Sequence, residues 1–178
     1  MCKIKQTFSF LIPVIGLTAL LVVLVGCEGQ EKGKTGELGS IEEKNKDFIK
    51  AYTDDFWNNH NIAAFDTYFS ADFVVHSAMG DQNREQYKGL CQAYFTSFPD
   101  LHITTDDFVA EGDKVTKVWT ANSTHKGEFL GIPATGKQIV VKGIEVFRIT
   151  DGKIAELWAS MDNLGMMQQL GVIPPMGE

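Results

Sequence analysis

The sequence predicts an α+β domain in which helices pack on one face of a curved antiparallel sheet and enclose a pocket between the two layers. Two observations carry this. Tyr87, Leu90, Cys91, Tyr94, Phe95 and Phe98 recur at i, i+3, i+4, i+7, i+8 and i+11, one continuous apolar face of a helix. From His102 onward the period changes to that of strands, punctuated by the turn signals Gly112-Asp113 and Asp151-Gly152. Helical segments thus come first and strands after.

The elements follow in order. Lys3 and Lys5 give a short positive start, and Phe8 to Val25 then carry no charged side chain, a length close to that of a membrane span. Leu24-Val25-Gly26-Cys27 ends the run and resembles the lipobox of bacterial lipoproteins, where small residues admit a signal peptidase and the cysteine thiol takes a lipid. Residues 1–26 are therefore expected to be a lipoprotein signal peptide. Residues 27–40 are read as a lipidated Cys27 and a flexible glycine-rich tether, and residues 41–178 as one domain. The alternative for the first segment is a retained transmembrane helix. The expected location is the bacterial cell envelope, lipid-anchored outside the cytoplasm.

Within the domain, Phe48, Ile49, Tyr52 and Phe56 predict a helix from about Ile41 to Asn58, which Asn59-His60-Asn61 breaks. Ile62 to Phe69 reads as a short helix, Phe73 to His76 as a brief strand, and Met79-Gly80-Asp81 as a turn. Pro99 closes the long apolar helix. Strands are expected over His102–Ala110, Lys114–His125, Gln138–Ile149 and Lys153–Met161, the last two joined by the Asp151-Gly152 hairpin. Asp162 caps a final helix from Asn163 to Leu170, which Gly171 ends.

Composition excludes several classes. Loss of Lys3 and Lys5 takes the formal net charge from −7 to −9, which argues against a nucleic-acid or anionic-lipid partner. With Cys2 removed and Cys27 acylated, only Cys91 remains; its place on a helical apolar face makes it a core residue. His60, His76, His102 and His125 show no metal-ligand spacing, and neither a phosphate loop nor a Gly-x-Ser-x-Gly elbow is found.

The run Thr124-His125-Lys126-Gly127-Glu128-Phe129-Leu130-Gly131-Ile132-Pro133-Ala134-Thr135-Gly136-Lys137 resembles the SnoaL-like polyketide cyclases, also called ester cyclases. So do Phe147 through Trp158, with Thr150-Asp151-Gly152-Lys153 at their centre, and the ending Gln169-Leu170-Gly171. The resemblance covers roughly Asn45 to Pro175. It implies an NTF2-like cone with a deep cavity for an apolar small molecule, a homodimer through the outer sheet face, and no cofactor. It also implies proton removal from an activated carbon by a carboxylate deep in the cone. In the common form the last strand reads Glu-His-Trp-Asp-x-x-Asp. Here it reads Glu156-Leu157-Trp158-Ala159-Ser160-Met161-Asp162, so Leu157 replaces the usual histidine and Ala159 the usual catalytic aspartate. Alanine accepts no proton.

Glu145 is the best candidate for a replacement carboxylate. It stands in an apolar strand, where a charge is costly unless it is paired or faces a cavity. If the Asp151-Gly152 turn includes a bulged glycine, Glu145 faces the same side as Leu157 and Ala159 and is a general base. A strict two-residue turn sets it opposite Trp158, as an edge or subunit-contact residue paired with Lys or Arg. His76, at the end of a short strand, is the expected assisting residue or else a loop-facing histidine. Trp57 is favoured among the tryptophans as a pocket residue. Trp119, His125, Phe147 and Asp162 complete the expected ligand contacts, although His125 more simply bonds its own loop and Asp162 caps a helix. Two readings stand: a cofactor-independent cyclase-, isomerase- or hydrolase-type enzyme, and a non-catalytic extracytoplasmic small-molecule-binding domain.

Overall fold

The computed structural model describes residues 31–174, with side chains from Gly39 onward. Residues 1–26, expected to be a signal peptide, and Cys27 lie outside the described residues. Helix α1 spans Glu31–Tyr52 and runs into a π-helical turn, Thr53–Asn58. It begins ten residues before Ile41, so residues 31–40, read from composition as tether, are helical. Once a first turn is fixed each added residue gains a hydrogen bond. Glu31, Lys32, Lys34 and Glu37 are good helix formers and offset the intervening glycines.

A 3-10 turn, Ile62–Ala64, leads into α2, Phe65–Tyr68. Strand β1 covers Phe69–Ser77 and turns back as β2, Gly80–Asn83. Helix α3 is Arg84–Ser97, with β3 at His102–Glu111, β4 at Lys114–Thr124, β5 at Gln138–Thr150 and β6 at Lys153–Met161. Helix α4, Asn163–Leu170, has the expected limits: Asp162 accepts from Gly165 N at 2.8 Å, and Gly171 closes it at φ 81°.

The six strands form one sheet in the order β2-β1-β6-β5-β4-β3. All neighbours are antiparallel except β1 and β6, which run parallel. Register breaks in three pairings, one of them at Asp106 of β3, bend the sheet around the helices. Aromatic rings fill the narrow end of the cone. The Tyr52 ring stands 5.4–5.8 Å from those of Phe56, Tyr68, Phe69 and Phe147. Asn58 ties the π-turn to β3, donating to Ile103 O at 3.1 Å and accepting from Ile103 N at 2.8 Å.

The β5–β6 hairpin decides the orientation of Glu145. Thr150 pairs with Lys153, and Asp151 and Gly152 have φ of 51° and 71°, so the turn is a strict two-residue one. The register then steps between Ile149–Ile154 and Arg148–Glu156, which leaves Ala155 as an extra residue. That bulge, rather than a bulged glycine in the turn, brings Glu145 opposite Ala159.

Candidate active site

A cavity of about 400 Å³ lies between the sheet and α3. Tyr87, Leu90, Tyr94 and Phe98 line it from α3 and its end, and Val75, Trp119, Val141 and Ala159 from the sheet. Met79, Met161, Met166 and Met167 also line it, which are all the methionines among the described residues. Thioether side chains adapt to irregular apolar shapes and contact aromatic rings favourably. The wall therefore suits a bulky apolar molecule.

Among the described residues Glu145 is the one carboxylate lining this cavity. It is 7 % exposed, and its Oε2 lies 2.9 Å from Nζ of Lys117, which is fully buried. The two residues are directly opposed on β5 and β4. Thr53 completes the arrangement: its hydroxyl donates to Ile49 O at 2.9 Å and accepts from Lys117 Nζ at 3.3 Å. The ammonium also sits 5.3 Å from the Phe147 ring centroid and 5.7 Å from that of Tyr52. A carboxylate is thus presented to an apolar cavity by a sequestered cation.

The charge reaches its neighbours. Burial raises the Tyr52 and Tyr87 hydroxyls well above the ordinary tyrosine range, and the nearby Glu145 carboxylate adds to both shifts. Burial pushes the Tyr94 hydroxyl up to about 12, with smaller contributions from Cys91 and Glu145. Burial also raises the Cys91 thiol, in keeping with a core residue rather than a nucleophile.

The other expected residues divide. Trp57 and Trp119 line the cavity, and Trp57 Nε1 donates to the Tyr52 hydroxyl at 2.7 Å. His76 does not line it. Val75 and Ser77 take the inward positions of β1, and His76 between them stacks on Trp158 at 5.2 Å and bonds Asp81 at 2.9 Å on the outer face. Phe147 is fully buried beneath Lys117 in the aromatic core, outside the cavity lining. Asp162 caps α4, while the adjacent Asn163 lines the cavity.

His125 holds its loop instead of the ligand space. It is buried against Phe98 at 5.1 Å, and its Nδ1 accepts from Thr135 N at 3.3 Å. That assigns the proton to Nε2, which is buried without a partner. Burial lowers the pKa of this imidazole.

Sequence reasoning missed Lys117, although a signal for it lay in the strand pattern, where Val115, Lys117, Trp119 and Ala121 are the inward-facing alternation of β4. Gln82 carried no such signal. It sits in a short polar strand, yet its Oε1 is buried without a partner and the residue lines the cavity. Among the described residues no cluster of three or more His, Cys, Asp or Glu has the geometry of a metal site.

Comparison with known proteins agrees with this architecture. A family model described as SnoaL-like polyketide cyclase matches residues 47–170. The aklanonic acid methyl ester cyclase DnrD of Streptomyces peucetius is 32 % identical over 72 residues, covering 40 % of this chain. The match spans 50 % of that relative's own length. Among solved structures, AclR of Streptomyces galilaeus, a proposed hydroxylase, superposes with a TM-score of 0.71 at 26 % identity, over 77 % of this chain and 87 % of that one. TsrD of Streptomyces laurentii superposes with a TM-score of 0.64 at 28 % identity, over 72 % of this chain and 95 % of that one.

Proposed function

This chain belongs to the SnoaL-like polyketide cyclase family, and from that premise we propose a cofactor-independent enzyme that takes a proton from an activated carbon of an apolar small molecule, with Glu145 as the base. One observation carries the reading. Glu145 and Ala159 face one another across the β5–β6 ladder and both line the cavity. The carboxylate absent from Ala159 is thereby supplied from the neighbouring strand, at the next position across. The aromatic and thioether wall excludes water from the reacting atoms, and Lys117 holds one carboxylate oxygen so that the group has a fixed direction. Proton transfer by a positioned base is worth about 10²–10⁴ in rate.

The test is solvent deuterium exchange at the activated methylene of an apolar 1,3-dicarbonyl, followed by NMR. The wild-type chain accelerates exchange. Glu145→Gln lowers the rate by about 10²-fold or more while binding the compound with similar affinity. Equal rates in the two proteins would remove Glu145 from the reaction. A specific feature also supports a second reading, a non-catalytic small-molecule-binding domain: Lys117 already occupies Oε2 of the carboxylate. Binding of the dicarbonyl by the wild type without exchange would establish that alternative.

Attachment of this activity to the cell envelope, outside the cytoplasm, rests on Leu24-Val25-Gly26-Cys27. Cys27→Ser is expected to abolish incorporation of labelled fatty acid and to leave the precursor uncut; normal processing of that variant refutes the anchor.

A further inference from the structure

Trp119 carries a polar group that the fold does not use. The residue is 7 % exposed and lines the cavity, and its Nε1 is buried with no hydrogen-bond partner. Trp57, the other indole on the cavity wall, donates to the Tyr52 hydroxyl. Buried donors are nearly always paired, so an orphaned one on a residue that lines a cavity points to a partner that arrives with the ligand.

The indole is held in place by design of the ladder. Gly143 is its direct cross-strand neighbour, and a Cβ there would collide with the indole atoms Cζ2 and Cε2 and lie 2.9 Å from Ser160 O. Nε1 is bonded to Cε2, so this close approach fixes the donor itself. A glycine in the middle of a strand costs stability, and its evident return is the seat for this ring. The next inward rung of the same two strands is Lys117 opposite Glu145. The unpaired donor and the cavity carboxylate therefore belong to residues on one wall, set about 7 Å apart along the strands at 3.3–3.4 Å per residue.

We infer that Trp119 Nε1–H is a second catalytic group, a hydrogen-bond donor to the carbonyl oxygen of the substrate, acting while Glu145 removes the proton from the neighbouring carbon. This rests on the reading of Glu145 as base. In the step, the C–H bond breaks and its proton passes to the Glu145 carboxylate. The electron pair forms the carbon–carbon double bond of the enolate, and the carbonyl π pair moves to oxygen. Trp119 keeps its proton and donates more strongly to that oxygen as charge builds there. The substrate class follows: an apolar ketone or ester bearing an acidic hydrogen beside its carbonyl. Recognition is by one N–H donor, with the remaining surface apolar.

The experiment uses the full-length chain in detergent and 1-phenylbutane-1,3-dione carrying ¹³C carbonyls. Trp119→Phe keeps an aromatic ring over Gly143 and removes the donor. Its deuterium-exchange kcat is expected to fall about 10²-fold, with KM changed less than threefold. The bound carbonyl stretch is expected at lower frequency in the wild type and in Glu145→Gln than in Trp119→Phe. A third readout needs no folded Trp119 variant. In ¹⁵N-labelled wild type the Trp119 indole N–H resonance, distinguished from those of Trp57 and Trp158 with Trp57→Phe and Trp158→Phe, shifts downfield at saturating probe. Wild-type kcat and an unchanged carbonyl stretch in Trp119→Phe overturn the inference, as does an unmoved Trp119 resonance. Failure of the wild type to bind the dione overturns it too. Full exchange in Glu145→Gln with the carbonyl shift retained refutes the base alone and leaves the donor standing.

Discussion

Lys117 and Glu145 together set the polarity of the cavity wall. Either charge left alone in this apolar surround is costly, since desolvation of an unpaired ion takes several kcal/mol, whereas Glu145→Gln retains a side-chain oxygen to which Lys117 Nζ can donate. Lys117→Met leaves the buried Glu145 uncompensated and is expected to lower the unfolding free energy by about 3–5 kcal/mol, measured by urea denaturation. The double replacement Lys117→Met with Glu145→Leu recovers most of that loss, because two apolar side chains of suitable volume need no partner. A double variant no more stable than Lys117→Met would show that Glu145 costs nothing at the cavity wall without its lysine partner. The pair was half legible: Glu145 stood out in an apolar strand, whereas Lys117 required its inward parity in β4 to be read together with the register.

Elements with strong local signals were legible to within a few residues. Helix α3 has both an unbroken apolar face and a capping box, in which Asn83 accepts from Gln86 N at 3.0 Å and Gln86 Oε1 accepts from Asn83 N at 2.9 Å. Asn83→Ala is therefore expected to cost about 1 kcal/mol in thermal or urea unfolding. A loss below a few tenths would mean that packing of the α3 face alone sets its start. Strand β2 had no such signal. Gly-Asp-Gln-Asn lacks apolar alternation, and its pairing with β1 supplies what its side chains do not. The parallel pairing of β1 with β6 was equally hidden, because it joins segments separated by four strands and a helix.

The charged surface of the molecule gives it a defined pH range. Hydrogen bonding and charge from Arg84 depress the Asp66 carboxyl, the Thr124 hydroxyl and backbone depress Asp100, and Arg148 depresses Glu156. A carboxyl depressed on folding contributes stability above its unfolded pKa and loses it as pH falls through its folded one. Stability is thus expected to decline below about pH 4.5, the ordinary value for Glu156, and further below 3.8, that of the aspartates. Tyr94 acts at the other end. Its folded pKa of about 12 lies above the ordinary 10.0, so its contribution is complete below pH 10 and lost as pH rises toward 12. Urea midpoints at pH 3, 7 and 11 check both limbs, with the maximum expected at pH 7. A midpoint that rises from pH 7 to 3 would refute the acid limb.

The chain by itself determined the α+β class, the order of helices before the main strands, the α4 cap at Asp162 and the family. These are encoded in short-range periodicity, turn chemistry and motifs that lie contiguous in sequence. Only the tertiary structure decided which side chains meet. One extra residue, Ala155, inverts the facing of every residue beyond it in β6 relative to β5, and it follows the turn by three positions. That bulge sets Glu145 against Ala159 at the cavity. Strand parity likewise turns His76 outward and Lys117 inward, and the missing Cβ of Gly143 seats the indole of Trp119. A cavity wall assembled from all six strands depends on their relative register, a cooperative property that no single segment specifies.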